Sequence, residues 1–138
     1  MAWVVDTCVV LDVATGDPRF GAASARHLKQ RLADGLVVCP VTVVELGPAF
    51  RGDLGLLRAF LRGAGIAHDE NWTSPDTEAA HAGFCRYVAA KRAGSAARRP
   101  VADLLIGGFA SRFDGLISRD PGHFSPWFPS LTVASPAP

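Results

Sequence analysis

At 138 residues, 49% of them hydrophobic and 20% charged, the chain has the size and balance of one globular domain and is too short for two. A core of that size needs no disulfide or structural metal, and Cys8, Cys39 and Cys85, an odd number with no Cys-x-x-Cys pair, suit neither a disulfide framework nor a zinc knuckle. Fourteen Lys and Arg against 13 Asp and Glu give a net charge of +1, which does not mark a nucleic-acid binder by bulk charge.

The opening Met1-Ala2-Trp3-Val4-Val5 carries neither a basic leader nor a spanning apolar run, so a cytoplasmic protein with no membrane partner is expected. Val4-Val5, ending at Asp6, reads as a first buried strand, and residues 22–33 are compatible with a helix. Leu36-Val37-Val38-Cys39, closed by Pro40, reads as a second strand, followed by a helix that Glu45 opens. Leu54, Leu57 and Leu61 share one helical face, and Ile66-Ala67 is a weaker strand. Ala80, Phe84, Tyr87 and Val88 stripe a helix over residues 76 to about 91, with Ser74 as its cap and Pro75 at its first position. Pro100 opens the next helix, whose apolar face is Val101, Leu104, Leu105 and Gly108, and Gly107-Gly108 implies close packing on a neighbour. Leu116-Ile117 and Leu131-Thr132-Val133 read as two more strands, which leaves a domain over residues 1–133 and a frayed tail over 134–138.

Strands separated by helices imply crossover connections and a parallel sheet buried on both sides, an α/β fold. On that outline Asp6, Glu45, Asp103 and Asp120 fall at one edge, outside the carboxyl ends of the strands, where open parallel sheets bind ligands. Converging carboxylates repel, and a hard divalent cation with oxygen ligands relieves the repulsion. Each acid also has a local explanation. Asp6 can cap the helix starting at Thr7, Thr42-Val43-Val44-Glu45 matches a capping box, Asp103 suits a helix N-terminus, and Asp120-Pro121-Gly122 reads as a turn. Local roles do not explain why acids sit in contexts as apolar as Val-Val-Asp and Pro-Val-Ala-Asp-Leu-Leu.

Other chemistries fit poorly. Cys8 stands where a haloacid-dehalogenase-type phosphatase needs a second Asp, and Ala14 where a cysteine phosphatase loop needs an Arg. The three thiols are expected to be reduced and buried, the His81 and Cys85 pair is expected to pack in the core, and Asp12 is expected to face solvent. Residues 86–99 carry Arg86, Lys91, Arg92, Arg98 and Arg99 with no acid, a stretch that suits either an RNA backbone or a helix C-terminus.

Val4-Val5-Asp6-Thr7, Pro40-Val41-Thr42-Val43-Val44-Glu45-Leu46, Arg98-Arg99-Pro100-Val101-Ala102-Asp103-Leu104-Leu105-Ile106-Gly107 and Leu116-Ile117-Ser118-Arg119-Asp120 together resemble, in order and spacing, the PIN-domain family, specifically its VapC-like toxins of type II toxin–antitoxin systems. The resemblance covers nearly the whole chain. It implies a three-layer α/β/α sandwich around a mainly parallel sheet of four to five strands. It also implies an endoribonuclease using Mg²⁺ or Mn²⁺, inhibited by a VapB-like antitoxin and homodimeric within that complex. The family's acidic positions fall on Asp6, Glu45, Asp103 and Asp120 and its small hydroxyl positions on Thr7 and Ser118, while Arg98, Arg99 and Arg119 are candidate RNA contacts. Many members carry a further acid beyond the position of Asp120, where this chain has Pro121-Gly122-His123-Phe124; that departure leaves one metal or two open, and His123 reads as a surface turn residue, with a substrate contact or weak metal ligand as the alternative. The alternative reading is a catalytically silent module of the same fold that binds RNA or a protein.

Overall fold

In the computed structural model, which describes residues 2–98 and 100–136, five short strands form one parallel sheet. The strands are β1 (Trp3–Val5), β2 (Leu36–Val37), β3 (Ile66–Ala67), β4 (Gly115–Ile117) and β5 (Val133–Ala134), in the order β3-β2-β1-β4-β5. Connecting them are α1 (Thr7–Ala14), α2 (Gly21–Arg31), α3 (Pro40–Glu45), α4 (Leu54–Gly63), α5 (Ser74–Arg92) and α6 (Val101–Ala110). Every neighbouring pair is parallel, with Val4 opposite Val37 on one side and Val5 opposite Ile117 on the other.

Side chains along a strand alternate between faces, and the core divides accordingly. Trp3, Val5, Leu36, Val38 and Ile117 point into a cluster with Val9, Val10, Leu28, Leu57 and Leu61 of α1, α2 and α4. Val4, Val37, Cys39 and Leu116 point the other way, onto Ile106, Phe109 and Ala110 of α6 and onto Phe124. Helices cover both faces, giving the three layers expected. A smaller cluster of Tyr87, Leu104, Trp127 and Phe128 seats α5 on α6 beneath the C-terminal segment.

Local signals explain the helix starts. Asp53 caps α4 by accepting from Leu56 N at 3.0 Å. At α5 the cap is Thr73 rather than the expected Ser74, because Asp76 completes a capping box with it: Thr73 N donates to Asp76 Oδ2 at 2.9 Å and Asp76 N to Thr73 Oγ1 at 3.4 Å. Pro100 takes the cap position of α6 rather than its first turn. The helix after β2 begins at Pro40, so Glu45 ends it instead of opening it, and the expected capping box at Thr42 does not form. The last strand is displaced by two residues from the expected Leu131-Thr132-Val133. Ser118 N donates to Ala134 O at 3.0 Å, so Ala134 belongs to the sheet and not to a frayed tail; Ala137 and Pro138 lie outside the described residues.

The stripe on α5 is only partly used. Ala80 and Tyr87 are buried, but Phe84 is exposed, as is Val101 on the expected apolar face of α6. The pair Gly107-Gly108 does mark close packing: a Cβ on Gly107 would run into the Phe128 ring, and one on Gly108 would lie 2.6 Å from Ala80 Cβ and 2.7 Å from the Ala80 backbone nitrogen. Since that nitrogen belongs to the α5 backbone and cannot swing aside, Gly108→Ala is expected to cost about 1–3 kcal/mol. Gly63→Ala, in open space on α4, should cost nothing. Urea unfolding of both variants checks the pair, and equal midpoints would contradict the packing.

Candidate active site

In sequence order the strands run outward from β1 to β3, then return to the other side of β1 with β4, so the chain changes direction between β1 and β4. Helices leave in opposite directions there and a crevice opens at the strands' carboxyl ends. Register brings Asp6 and Ser118 together, each following the paired Val5 and Ile117. Asp6 N donates to Ile117 O at 2.9 Å and Ser118 Oγ donates to Asp6 Oδ2 at 2.7 Å. The other carboxylate oxygen of Asp6 accepts from Thr7 N at 2.8 Å, so Asp6 is the α1 cap, as its local explanation requires, and a site residue too.

Parallel pairing of β1 with β2 brings α3 to the same place. Thr7 Oγ1 donates to Glu45 Oε1 at 2.7 Å and shares a 3.0 Å hydrogen bond with the buried Thr42 hydroxyl. Thr42 thus supports the site from inside α3. Its role has no signal in the sequence, because its spacing to Glu45 imitates a capping box. On the other side of Asp6, Cys8 Sγ donates to Oδ2 at 3.4 Å.

Asp120 is tied to this centre by hydrogen bonds, and Asp103 approaches it through a longer contact with His123. Asp120 N donates to Ser118 Oγ at 3.1 Å, and His123 N donates to Asp120 O at 3.0 Å across the turn at Pro121–His123. His123 Nδ1 then lies 3.8 Å from Asp103 Oδ2 on the first turn of α6. His123 is half-buried and faces a site acid. Among the described residues no three His, Cys, Asp or Glu side chains are close enough together to hold a metal ion.

Burial pushes the Asp6 carboxyl above its ordinary range and the charge of Glu45 adds to this, against the hydrogen bonds from Ser118, Cys8 and Thr7. The Cys8 thiol is pushed up to about 12 by burial and by Asp6, and Cys39 to about 11 chiefly by burial. Not all three thiols are buried as expected. Cys39 is buried and Cys8 half-buried, but Cys85 is exposed, as is His81, so that pair does not pack in the core.

Asp12 departs furthest from expectation. Instead of facing solvent it is 3% exposed, its Oδ2 accepting from Arg119 Nε at 2.7 Å and from Ser24 Oγ at 3.0 Å. The Arg119 guanidinium also lies over the Phe20 ring, 4.1 Å from its centroid. Burial opposes the charge on Arg119, and the bond and charge of Asp12 outweigh it. One sequence signal does point there: Thr7-Cys8-Val9-Val10-Leu11-Asp12-Val13-Ala14 is apolar nearly all round, and a lone acid in such a helix must be buried and paired. Of the other candidate RNA contacts, Arg98 is exposed before α6, and Arg99 lies outside the described residues.

Two outcomes are expected of this electrostatic layout. A carboxyl whose folded-state pKa is raised favours the fold while protonated, and the benefit is lost as pH rises through that pKa. In chelator near pH 7, Asp6→Asn should therefore unfold at the same or a higher temperature than the native chain, with the difference shrinking as the pH falls and gone below about pH 4. A lower midpoint at both pH values would contradict the raised pKa. In the native fold Cys85 should react with a thiol reagent well before Cys8 and Cys39, because only thiolate reacts and only Cys85 is exposed. Peptide mapping after a short exposure reads the order.

No family model matches the chain, and no curated protein matches it. Among solved structures the fold is similar to a chain of VapBC2 from Rickettsia felis bound to a DNA fragment from their promoter, with a TM-score of 0.70 and 12% identity over 98% of this chain and 98% of that one. At that identity the likeness is one of fold, the PIN-like α/β sandwich around a parallel sheet.

Proposed function

We propose that the chain is a metal-dependent endoribonuclease, the toxin of a type II toxin–antitoxin module, with Asp6, Glu45, Asp103 and Asp120 as the residues that hold Mg²⁺ or Mn²⁺. One observation carries this reading. Three aspartates are buried, Asp6, Asp12 and Asp76. Arg119 pairs with Asp12 and Arg112 with Asp76, whereas Asp6, with Glu45 close enough to raise its pKa, has no basic partner among the described residues. A buried carboxylate is costly without a compensating charge, and an all-oxygen set of carboxylates and hydroxyls suits a hard divalent cation. When bound, such an ion supplies an activated water and neutralises charge on the phosphodiester. The protein's share is orientation: Ser118 fixes Asp6 and Thr7 fixes Glu45. Arg98 and Arg99 are the RNA-backbone contacts proposed; Arg119, expected in that role, has its guanidinium on Asp12.

An antitoxin has a suitable surface beside the acids. Val43, Val44, Gly47, Leu54 and Leu57 line an apolar groove of about 310 Å³ between α3 and α4, directly next to Glu45. A VapB-like segment lying there could place an Arg or Lys among Asp6, Glu45 and Asp103 in place of the metal. We assign the homodimer contact to another apolar groove, of about 450 Å³, between α5 and α6 and lined by Phe84, Val101 and Leu104.

The absence of a closed three-ligand group among the described residues favours the other reading, a silent RNA- or protein-binding module. The experiment that decides is cleavage of single-stranded RNA with Mn²⁺ or Mg²⁺, with and without chelator, alongside Mn²⁺ calorimetry. The native chain is expected to cleave, to stop in EDTA, and to lose at least about a hundredfold in rate on Asp6→Asn or Asp103→Asn. No Mn²⁺ binding and no cleavage would establish the silent module. Cleavage undiminished in chelator would rule out the metal.

A further inference from the structure

Outside the acids assigned to the metal, the buried group left without a function is Asp12, and the pair it forms is unusual in what it joins. Asp12 lies on α1, Ser24 on α2, and Arg119 on the segment between Ser118 and Asp120 that leaves β4. The two neighbours of Arg119 are both site residues. Ser118 gives its hydroxyl proton to Asp6 and receives the Asp120 N–H on the same oxygen. Past Ser118 N, bound to Ala134 O, the backbone leaves the sheet, and among the described residues 118–120 are otherwise held only at the Arg119 backbone, by the Cys8 thiol, and at Asp120 O, by His123 N.

The contacts around Arg119 hold its side chain from two directions. Nε donates to a buried carboxylate at 2.7 Å, and the guanidinium lies over Phe20, whose own backbone N–H is fixed by Asp17 Oδ1 at 2.8 Å. Packing of α1 on α2 does not need this pair, since Val9, Val10 and Leu28 already meet in the core. Apolar residues in place of a buried ion pair generally hold two elements together as well or better, so stability alone is a weak reason for the pair. What an ion pair adds is direction.

We propose that Asp12 and Arg119 are positioning residues, whose buried ion pair fixes residues 118–120 so that Ser118 stays on Asp6 and Asp120 stays at the mouth of the crevice. Arg119 in this role serves the protein and not an RNA phosphate. The consequence for turnover rests on the nuclease reading above; the consequence for the segment itself does not.

The test measures both. Amide hydrogen exchange at Asp120 is followed by NMR in the metal-free protein, and RNA cleavage by kcat and KM well below the unfolding temperature, for Asp12→Asn, Arg119→Lys and their double variant. Asp76→Asn, which breaks the other buried acid–arginine pair and touches none of residues 118–120 in any hydrogen bond or ion pair described, controls for lost stability. Exchange at Asp120 is expected to accelerate about tenfold or more in the Asp12 and Arg119 variants beyond that in Asp76→Asn, because one hydroxyl holds that amide. kcat should fall about tenfold or more with KM within about threefold, and the double variant should be no worse than the singles. If Asp12→Asn does not fold, Arg119→Lys, which keeps the charge, carries the same expectations. Exchange at Asp120 no faster than in the Asp76 control overturns the proposal. A raised KM at unchanged kcat for Arg119→Lys, with Asp12→Asn silent, also overturns it and makes Arg119 a substrate contact. Faster exchange in the Asp12 and Arg119 variants, with a native chain that never cleaves RNA, leaves the positioning in place and removes the nuclease.

Discussion

The parallel pairing of β1 with β4 is the constraint on which the site depends. A register that sets Val5 opposite Ile117 makes Asp6 and Ser118 neighbours one residue further on, at the point where the sheet reverses its winding. The strand pairing is what joins them, since Asp6 and Ser118 are 112 positions apart in the chain. The pairing of β1 with β2 repeats the device on the other side, where α3 delivers Thr42 and Glu45 to Thr7. A shift by one residue in either ladder would turn Val5 or Val4 to the wrong face and separate these partners, so core packing and site geometry enforce the same register.

Electrostatics divides the buried acids into two kinds. Asp76 completes the α5 cap and pairs with Arg112, whose guanidinium is stacked on Phe109 and Phe113. Asp12 pairs with Arg119 in the same manner, over Phe20. In both, an aromatic ring shields the arginine and the carboxylate is neutralised locally. Asp6 is supported by hydrogen-bond donors alone, a serine, a thiol and one backbone N–H. Neutral donors orient a carboxylate without cancelling its charge, and orientation without neutralisation is what a cation-binding position requires.

Much of this was legible in the sequence, for physical reasons that also mark where reading failed. The strands at Val4-Val5 and Leu116-Ile117 announce themselves because both faces of a parallel sheet are buried, so the runs are continuously apolar. The acids at strand ends follow from topology once the class is known. The places of Thr42 and Glu45 within their helix are hidden because a capping box and an interior Thr–Glu pair have the same spacing, and the hydrogen bond that distinguishes them reaches Thr7 on another helix. The sequence makes Asp12 look like a solvated helix residue because its partner lies 107 positions away. His123 depends likewise on a long-range neighbour, Asp103.

The strands are two or three residues long, too short for their ladders to specify the sheet without help. The helices supply that help through generic apolar contacts, which tolerate substitution as long as volume and pattern are kept. A fold held in this way can be shared with a chain only 12% identical while superposing at a TM-score of 0.70. The burden of specificity then falls on the few places where polar groups are buried and directional: Asp6 with Ser118, Thr7 with Thr42, Asp12 with Arg119, Asp76 with Arg112. Three of these four pairs involve α1 or the residue that caps it, at or just beyond the carboxyl end of β1. A chain that needed only to fold would have less reason to concentrate its costly buried polar contacts at a single edge, and that concentration is the physical argument that this edge is where the protein acts.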